Sequence, residues 1–540
     1  MVTSTFAPVA PAQTTLAPYT GPWTALQAGH LLRRATFAPN KTELDQALAN
    51  GLTGSINRLF TPLDLPANPF FVNYDSHPDA GIGDDWYELH LNPASVEDDK
   101  RDRRLGLATW WINSTANRGF NICEKMVLFW VNHFGMGTQD QFHTKVRYHN
   151  RYRTFATGNF RELMKLMTID VYMLGFLNGR SNTRTNPNEN FAREFLELYT
   201  IGKGPDAGDG DYTTYTEQDV TELARAFTGW RTRYINSRNP GEIGEAYYTS
   251  NRHDTEDKTL SYRLNNAVIT NGEELEYQQV VDLLFTFDEV AYHISRKLYR
   301  HFVYHELTNQ VEQNIIAPMA QLIIDNDYVI EPALRALLSS EHFYQDTFIG
   351  AMIKTPLDFA QSVLRNTGFY DQGNIYDNAY AQLQAYNHTR NTGMDLQTPP
   401  SVAGWTAYYQ APSFHQLWLN TSTIQERVRF VDRATRRWFN WAGERRYVNW
   451  LPFVDGLANP YQADTMINET AAILLPRPLQ PTQYDYLLDL LLDGQEDFVW
   501  TNEYADYRAN PNDDMTIDAV STRLNNMLHG LMQLAEFQLY

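Results

Sequence analysis

Cysteine and long apolar runs are the first things that this sequence lacks. Cys123 is the single cysteine among 540 residues, so no disulfide can form within the chain. Its surroundings, NICEKMVLFW, follow an apolar helical pattern that predicts a buried, unreactive thiol. No apolar run approaches the length of a transmembrane helix, and the mean hydropathy is -0.47. The sequence therefore predicts no transmembrane segment.

Positive charge is also scarce. The chain has 44 lysines and arginines against 64 acidic residues, which gives a formal net charge of -20. Such a charge repels the phosphates of nucleic acids and the surfaces of anionic lipids. We therefore expect no nucleic acid partner.

The N-terminus lacks the features of a signal peptide. Residues 1–23 read MVTSTFAPVAPAQTTLAPYTGPW and contain neither a basic segment nor an apolar one. Their content of Pro, Thr and Ala is typical of a flexible lead-in to a folded chain. The residues themselves show no export route, and a cytoplasmic location stays open.

Several common catalytic signatures are absent as well. The sequence contains no H-E-x-x-H, no G-x-S-x-G, no P-loop and no paired C-x-x-C. The absence of these motifs argues against membership of the commonest classes of zinc protease, serine hydrolase and nucleoside triphosphatase. We expect no nucleotide or redox cofactor, whereas a divalent metal stays compatible with the sequence.

Helical periodicity dominates what is present. It predicts a mainly α fold, in which residues 24–540 form one large multi-helix unit that could be divided into two helical lobes. One of these helices is expected over about 419–441. Residues 231–275 differ, because short alternating pieces such as EAYYTS and AVIT are separated by Asn, Gly and Asp. We expect a small β-hairpin insert there.

The stretch TNPNENFAREFLELYTIGKG predicts an amphipathic helix over 187–201. Asn186 is a suitable N-cap, Pro187 falls at the first helical position, and Glu189 stands where a capping box would place it. Phenylalanine, leucine and tyrosine follow one side of this helix. The other side is polar and carries Glu189, Asn190, Arg193, Glu194 and Glu197.

Two interpretations of that polar side stay open. Glu189, Arg193 and Glu197 follow at i, i+4 and i+8, so they could form a solvated ladder of salt bridges. Alternatively Glu194 and Glu197, one turn apart, could point with Asn190 into a polar cleft that Arg193 helps to hold. In the first interpretation the polar side only stabilises the helix, and in the second it forms a functional site.

Three other segments offer candidate site residues. Asn132 and His133 end the apolar helix of WVNHFG, where a neutral imidazole could act as a base or metal ligand, or simply as a hydrogen-bonded core residue. His253 and Asp254 place an imidazole beside a carboxylate in the insert, and they could equally form a turn. Trp405 in PPSVAGWTAY could form a binding platform or fill the core.

Several blocks together resemble one bacterial family, the "domain of unknown function 1800" family, from about residue 24 to the end of the chain. The blocks, in chain order, are HLLRRATFAP, EKMVLFWVNHF, NPNENFAREFLELYTIG, YTEQDVTELARAFTGW, the HD of RHDTEDK, HISRKLYRHFV, IKTPLDF, PPSVAGW and LAEFQLY. The activity of that family is not established. Its members are commonly exported, and their genes often lie beside genes for a sulfatase-like family, "domain of unknown function 1501".

The chain departs from the family pattern at three places. Val131 stands where the family usually has histidine, and Asp395 and Leu396 stand where it has Gly-Gln. The loop GKGPDAGDGD is longer than usual. The first departure weakens any metal site that needs that histidine.

Two classes of function follow. The first is an exported bacterial protein, periplasmic or at the cell surface, that binds or scaffolds a partner protein such as one of the sulfatase-like family. Its 32 tyrosines and 12 tryptophans suit such a surface. The second is a hydrolase or modifying enzyme for an envelope polymer, with Glu194, Glu197, His133 and His253 as acid, base or metal ligands. The first is favoured because no complete catalytic set is present.

Overall fold

The computed structural model of the chain describes residues 15–72, 77–137, 141–235, 237, 239, 242–441 and 443–540. Its α-helices are α1 (Ala25–Ala35), α2 (Lys41–Leu59), α3 (Val96–Asn117), α4 (Cys123–Phe134), α5 (Phe142–Thr154), α6 (Phe160–Thr168), α7 (Val171–Phe176), α8 (Glu189–Glu194), α9 (Glu217–Ala226), α10 (Glu276–Leu284), α11 (Asp288–Phe302), α12 (Asn309–Val311), α13 (Ala317–Asp325), α14 (Glu331–Leu338), α15 (Pro356–Leu364), α16 (Ile375–Asn391), α17 (Thr421–Thr435), α18 (Leu451–Asp455), α19 (Ala463–Leu474), α20 (Pro481–Leu492), α21 (Asp497–Ala509) and α22 (Asp514–Gln533). The prediction of a mainly α fold is confirmed.

Antiparallel hairpins supply the β structure. The strands are β1 (Trp230–Arg233) with β2 (Glu245–Tyr248), β3 (Lys258–Thr259) with β4 (Val268–Ile269), and β5 (Phe439–Trp441) with β6 (Glu444–Arg446). The first two hairpins lie in or at the edge of the predicted insert. The third corrects the prediction of a helix to residue 441, because α17 already ends at Thr435.

α4 is buried on nearly every side because its sequence is apolar all round. Met126, Leu128, Trp130, Val131 and Phe134 are fully buried in the main hydrophobic core. α4 packs against α5 and against the π-helical segment Phe195–Tyr199, which continues α8. The polar residues at the C-terminal end of α4 are thereby brought to the end of that segment.

The helix predicted over 187–201 begins later than expected. Asn188 is the N-cap, and its side chain accepts a hydrogen bond from the backbone of Phe191 at 3.3 Å. Asn186 instead donates its backbone N–H to the carbonyl of Thr183 at 2.9 Å, which places it in a preceding turn. Glu189 therefore completes no capping box, and its carboxylate accepts the hydroxyl of Thr221 at 3.2 Å.

The lead-in predicted for residues 1–23 lies partly outside the described residues. Within its described part, the backbone N–H of Tyr19 donates to the carbonyl of Ser339 at 2.8 Å. Trp23 donates its indole N–H to the carbonyl of Ala47 at 2.9 Å. Residues 15–23 thus lie against the helices. The division of 24–540 into one unit or two lobes stays a prediction, for which limited proteolysis is the direct test.

Candidate functional site

A cavity of about 740 Å³ brings charged side chains together with residues of the core. Its walls come from α4, the π-helical segment, the loop after it, α11, the residues on either side of α12, and the segment 403–409. The lining residues are Phe129, Asn132, His133, Glu197, Leu198, Lys203, Gly204, Pro205, His293, Arg296, Lys297, Arg300, His301, Leu307, Glu312, Ala403, Tyr408 and Tyr409. We call it the α4–α11 pocket.

α11 supplies the basic wall of this pocket. His293, Arg296, Lys297 and Arg300 follow at i, i+3, i+4 and i+7, so they share one face of the helix. Its opposite face packs into the core, where Ile294 and Leu298 are fully buried. An amphipathic helix therefore presents three cations to the cavity.

The cations of α11 differ in what neutralises them. Arg296 forms an ion pair with Glu312, with its Nε 2.8 Å and 3.1 Å from the two carboxylate oxygens. Arg300 donates its Nε–H to the carbonyl of His305 at 3.3 Å. Within the described residues, neither Arg300 nor Lys297 has a carboxylate oxygen within 4.0 Å. Lys297 and Arg300 therefore form no ion pair of their own within the described chain, and the carboxylate whose charge acts on Arg300, Glu312, is paired with Arg296.

Lys297 is held by neutral groups. Its Nζ lies 2.7 Å from the carbonyl oxygen of Leu198 and 3.1 Å from Nδ1 of His133. Burial and the nearby charge of Arg300 lower the pKa of the Lys297 ammonium to about 7. Near neutral pH both the ammonium and the free amine are then populated.

His133 is an uncharged partner for that lysine. Burial and the positive charge of Lys297 hold the pKa of the imidazole well below its usual value. While Lys297 is an ammonium it can only donate, so Nδ1 of His133 accepts and the ring proton lies on Nε2. When Lys297 is neutral, its lone pair can accept a hydrogen bond from Nδ1–H of the other imidazole tautomer. The hydrogen bond between the two residues can therefore form in either protonation state of Lys297.

The π-helical segment explains why the Leu198 carbonyl is available. Carbonyls in the last turn of a helix lack partners within the helix and are bonded by other groups. The Leu198 oxygen accepts from Lys297 and also from Nε2 of His293, at 3.1 Å. π-Helical turns are frequent at functional sites because they reposition such groups.

Asn132 and Trp405 connect the loop at 401–405 to α4. Oδ1 of Asn132 accepts the backbone N–H of Trp405 at 2.9 Å. A Cβ at Gly404, whose φ is +85°, would lie only 2.3 Å from that oxygen, so the close approach requires glycine. The Trp405 ring is 1% exposed and belongs to the core. The following Tyr408 reaches the pocket, with a buried hydroxyl that has no hydrogen-bond partner in the described chain.

The polar side of the 189–199 stretch is divided among different neighbours. Arg193 forms a bidentate pair with Glu217 on α9, at 2.6 and 2.7 Å, so the predicted ladder with Glu189 and Glu197 is not formed. Glu197 lines the pocket and accepts the hydroxyl of Tyr215 at 3.2 Å. Burial, and to a lesser extent the charge of Glu197, raises the pKa of Glu194.

Glu194 and Asn190 lie away from the pocket lining. Glu194 is half-buried and Asn190 is exposed. Of the two carboxylates predicted to share a cleft, the structure therefore brings only Glu197 together with Asn132 and His133.

His253 and Asp254 belong to a separate buried network. Nε2 of His253 lies 2.9 Å from Glu276, whose other carboxylate oxygen lies 2.6 Å from Nζ of Lys258. Asp254 pairs with Arg225 through two hydrogen bonds of 2.8 and 3.1 Å. Neither His253 nor Asp254 lines the α4–α11 pocket. These contacts join the insert to α9 and α10.

The surroundings do not favour a metal in the pocket, since Lys203 and the cations of α11 repel a divalent ion there. Among the described residues, His77, Asp79 and His90 form a group with metal-like spacing. However, Nδ1 of His77 accepts the backbone N–H of Asp79 at 3.1 Å, and its Nε2 bonds the His90 carbonyl at 3.0 Å. Both nitrogens of His77 are thus occupied.

The residues that sequence reasoning missed are the cations of α11. HISRKLYRHF carries its basic residues at helical spacing, which was the available signal. A basic helix face is usually solvated, so the spacing alone does not identify a pocket. Only the packing of α11 against α4 shows that Lys297 and Arg300 are partly withdrawn from water.

Fold and site together define a mainly α-helical protein with a cationic pocket lined by α4 and α11. The chain belongs to the family described as "Protein of unknown function (DUF1800)", whose model matches residues 30–539. This confirms the resemblance noted in the sequence blocks. No curated protein and no solved structure matches the chain. Among the described residues, none of the helices has the length and apolar character that a membrane span needs.

Proposed function

We propose that the protein binds a small anionic ligand, one that carries a carboxylate or a phosphate, in the α4–α11 pocket. The observation that carries this proposal is that Lys297 and Arg300, which form no ion pair of their own within the described chain, lie on the wall of a cavity of about 740 Å³. Pockets of this size suit small molecules, and a few converging polar groups orient them.

The charge balance of the lining supports an anion. Of the basic lining residues, Arg296 is paired with Glu312 and Lys203 lies 3.5 Å from Asp206. Lys297 and Arg300 are then left against one further carboxylate of the lining, Glu197. The neighbouring histidines add no charge, because burial lowers the pKa of His293 to about 3 and that of His301 well below its usual value. An excess of positive charge in a partly desolvated cavity attracts anions strongly.

Arg300 is the residue best suited to hold the anion. Its guanidinium offers five N–H donors in a fixed fork that matches carboxylate and phosphate oxygens. One of these, on Nε, is directed to the His305 carbonyl. The remaining donors have no carboxylate to bind within the described chain.

The binding class is favoured over the enzyme class by where the predicted residues lie. Glu197 and His133 line the pocket, whereas Glu194 does not and His253 is engaged in the separate network around Glu276. The predicted catalytic set is thus divided between two places. Export and a sulfatase-like partner protein remain part of the proposal through the family resemblance, and fractionation of the native host is their test.

Isothermal titration with inorganic phosphate, citrate and glucose 6-phosphate, with glycerol as an uncharged comparison, tests the proposal. Hydrogen bonds to charged groups contribute about 1.5–3 kcal/mol, so Arg300→Gln should weaken the tightest of these anions about ten-fold or more. Arg429→Gln is the matched control, since Arg429 is exposed and pairs with Glu426 outside the pocket. The proposal fails if no anion of the panel binds, or if both variants bind it equally.

A further inference from the structure

Lys297 differs from the buried Lys125 and Lys258 in what surrounds its amine. It differs from the buried Lys354, whose amine also has no carboxylate partner in the described chain, because it lines the α4–α11 pocket. Lys125 is paired with Asp358 and Lys258 with Glu276, so each has a carboxylate that keeps it charged. Lys297 has the Leu198 carbonyl and an imidazole nitrogen instead, and it lines an open cavity. A lysine that is desolvated without a carboxylate partner is the form of the residue that acts as a nucleophile toward carbonyl groups.

We propose that Lys297 condenses with the carbonyl group of an anionic aldehyde or ketone bound in the pocket and forms an imine with it. This inference rests on the proposed anion binding and adds the chemical class of the ligand. That class is a small molecule with a carbonyl carbon close to a carboxylate or phosphate, such as a 2-oxo acid or a phosphorylated aldehyde.

The chemistry balances without any oxidant or reductant. The Nζ lone pair of Lys297 attacks the carbonyl carbon, the C–O π bond breaks, and the oxygen takes up a proton to give a carbinolamine. Loss of that hydroxyl group, protonated as it leaves, releases one water and leaves a carbon–nitrogen double bond. Nζ loses two protons and the departing oxygen takes up two, so one amine and one carbonyl give one imine and one water without an external proton donor.

Free amine is available for the first step. With a pKa of about 7, roughly half of Lys297 is unprotonated at neutral pH, whereas an ordinary lysine is almost wholly charged. The geometry also positions the ligand. Arg300 lies three residues further along α11, a rise of about 4.5 Å, so it can hold an anionic group while the carbonyl carbon faces Nζ.

Reductive trapping tests the inference on the full-length protein. The protein is incubated with pyruvate or with glyceraldehyde 3-phosphate, treated with sodium cyanoborohydride, digested and mapped by mass spectrometry. We expect the adduct on the peptide that contains Lys297, about ten-fold or more above the adduct on Lys203. Lys203 is the internal control, because it lines the same pocket but is 39% exposed and lies beside Asp206. Which probe reacts distinguishes a carboxylate from a phosphate ligand.

Two further arms make the outcome decisive. Acetone has the carbonyl without the anion, so its preference for Lys297 over Lys203 should be smaller than that of pyruvate if the pocket selects anions. Lys297→Arg removes the amine, so it should lose the adduct, and near-ultraviolet circular dichroism checks that the variant is folded. Phosphate binding without an adduct on Lys297, or adducts spread evenly over surface lysines, would overturn this inference alone. Absence of any anion binding would instead overturn the proposed function.

Discussion

The network around Glu276 gives the most quantitative prediction. Glu276 and Lys258 are both 0% exposed, and their charges lie 2.6 Å apart. The same carboxylate also bonds Nε2 of His253 at 2.9 Å and accepts the backbone N–H of Gly272 at 3.1 Å. Glu276→Gln keeps the shape of the side chain and removes its charge, so it leaves the Lys258 ammonium without its counter-ion.

The size of the effect follows from what remains around that lysine. Removing one partner of a buried ion pair destabilises a protein by about 3–5 kcal/mol. Lys258 retains one acceptor, the carbonyl of Asp254, and the glutamine oxygen can still accept one of the bonds that Glu276 received. We therefore expect a loss near the lower limit, about 3 kcal/mol in the free energy of unfolding.

Urea unfolding at pH 7, followed by near-ultraviolet circular dichroism, measures that loss. Glu274→Gln is the matched control, because Glu274 lies two residues away and is exposed, so it should change stability by less than about 0.5 kcal/mol. Adding Lys258→Met to Glu276→Gln should recover about 2 kcal/mol, since the unpaired charge is then gone. A loss below about 1 kcal/mol for Glu276→Gln would refute the reasoning.

The same variant separates the two interpretations of His253. If the imidazole serves only this network, Glu276→Gln lowers stability and leaves the affinity for phosphate unchanged below the unfolding transition. A loss of phosphate binding in the folded variant would instead connect His253 to the ligand.

Three more predictions follow from local geometry. Gly404→Ala should lower the free energy of unfolding by about 2 kcal/mol more than Gly393→Ala does. Both glycines have positive φ, but only a Cβ at position 404 would meet atoms within 4 Å. Equal losses for the two variants in urea unfolding would contradict this. Burial raises the pKa of the Cys123 thiol to about 12, so a disulfide reagent at pH 8 should label it only after denaturation. Arg193 lowers the pKa of Glu217 to about 2, so the Tm advantage of the wild type over Glu217→Gln should be constant above about pH 4.5 and shrink toward pH 2.

Periodicity predicted the elements well where the sequence of a helix by itself decides which of its sides are buried. α4 is the clearest case, because an apolar sequence on all sides can only be buried, and the structure buries it. The spacing of Thr216 and Asp219 also fits a capping box, and in the structure Asp219 accepts the backbone N–H of Thr216 at 2.7 Å. Such features depend on residues within one or two turns of each other.

The candidate site depends on partners that periodicity cannot identify. Arg193 had two local acids at i±4, yet it binds Glu217, which lies 24 positions away on another helix. His133 was predicted as a site residue, but its partner Lys297 lies 164 positions further along the chain. A face of a helix can be derived from spacing, whereas the neighbour that meets this face is set by tertiary packing.

The net charge of the whole chain does not predict the charge inside a local pocket. A net charge of -20 argues against polyanionic partners, because a long anion meets the potential of the whole surface. A small anion inside the α4–α11 pocket is affected mainly by charges within about 8–10 Å, the screening length at physiological salt. Over that distance Lys297 and Arg300 outweigh the distant acidic surface. The two observations are therefore compatible, and together they restrict the proposed ligand: the pocket should accept phosphate or citrate, while duplex DNA or heparin should not compete for it.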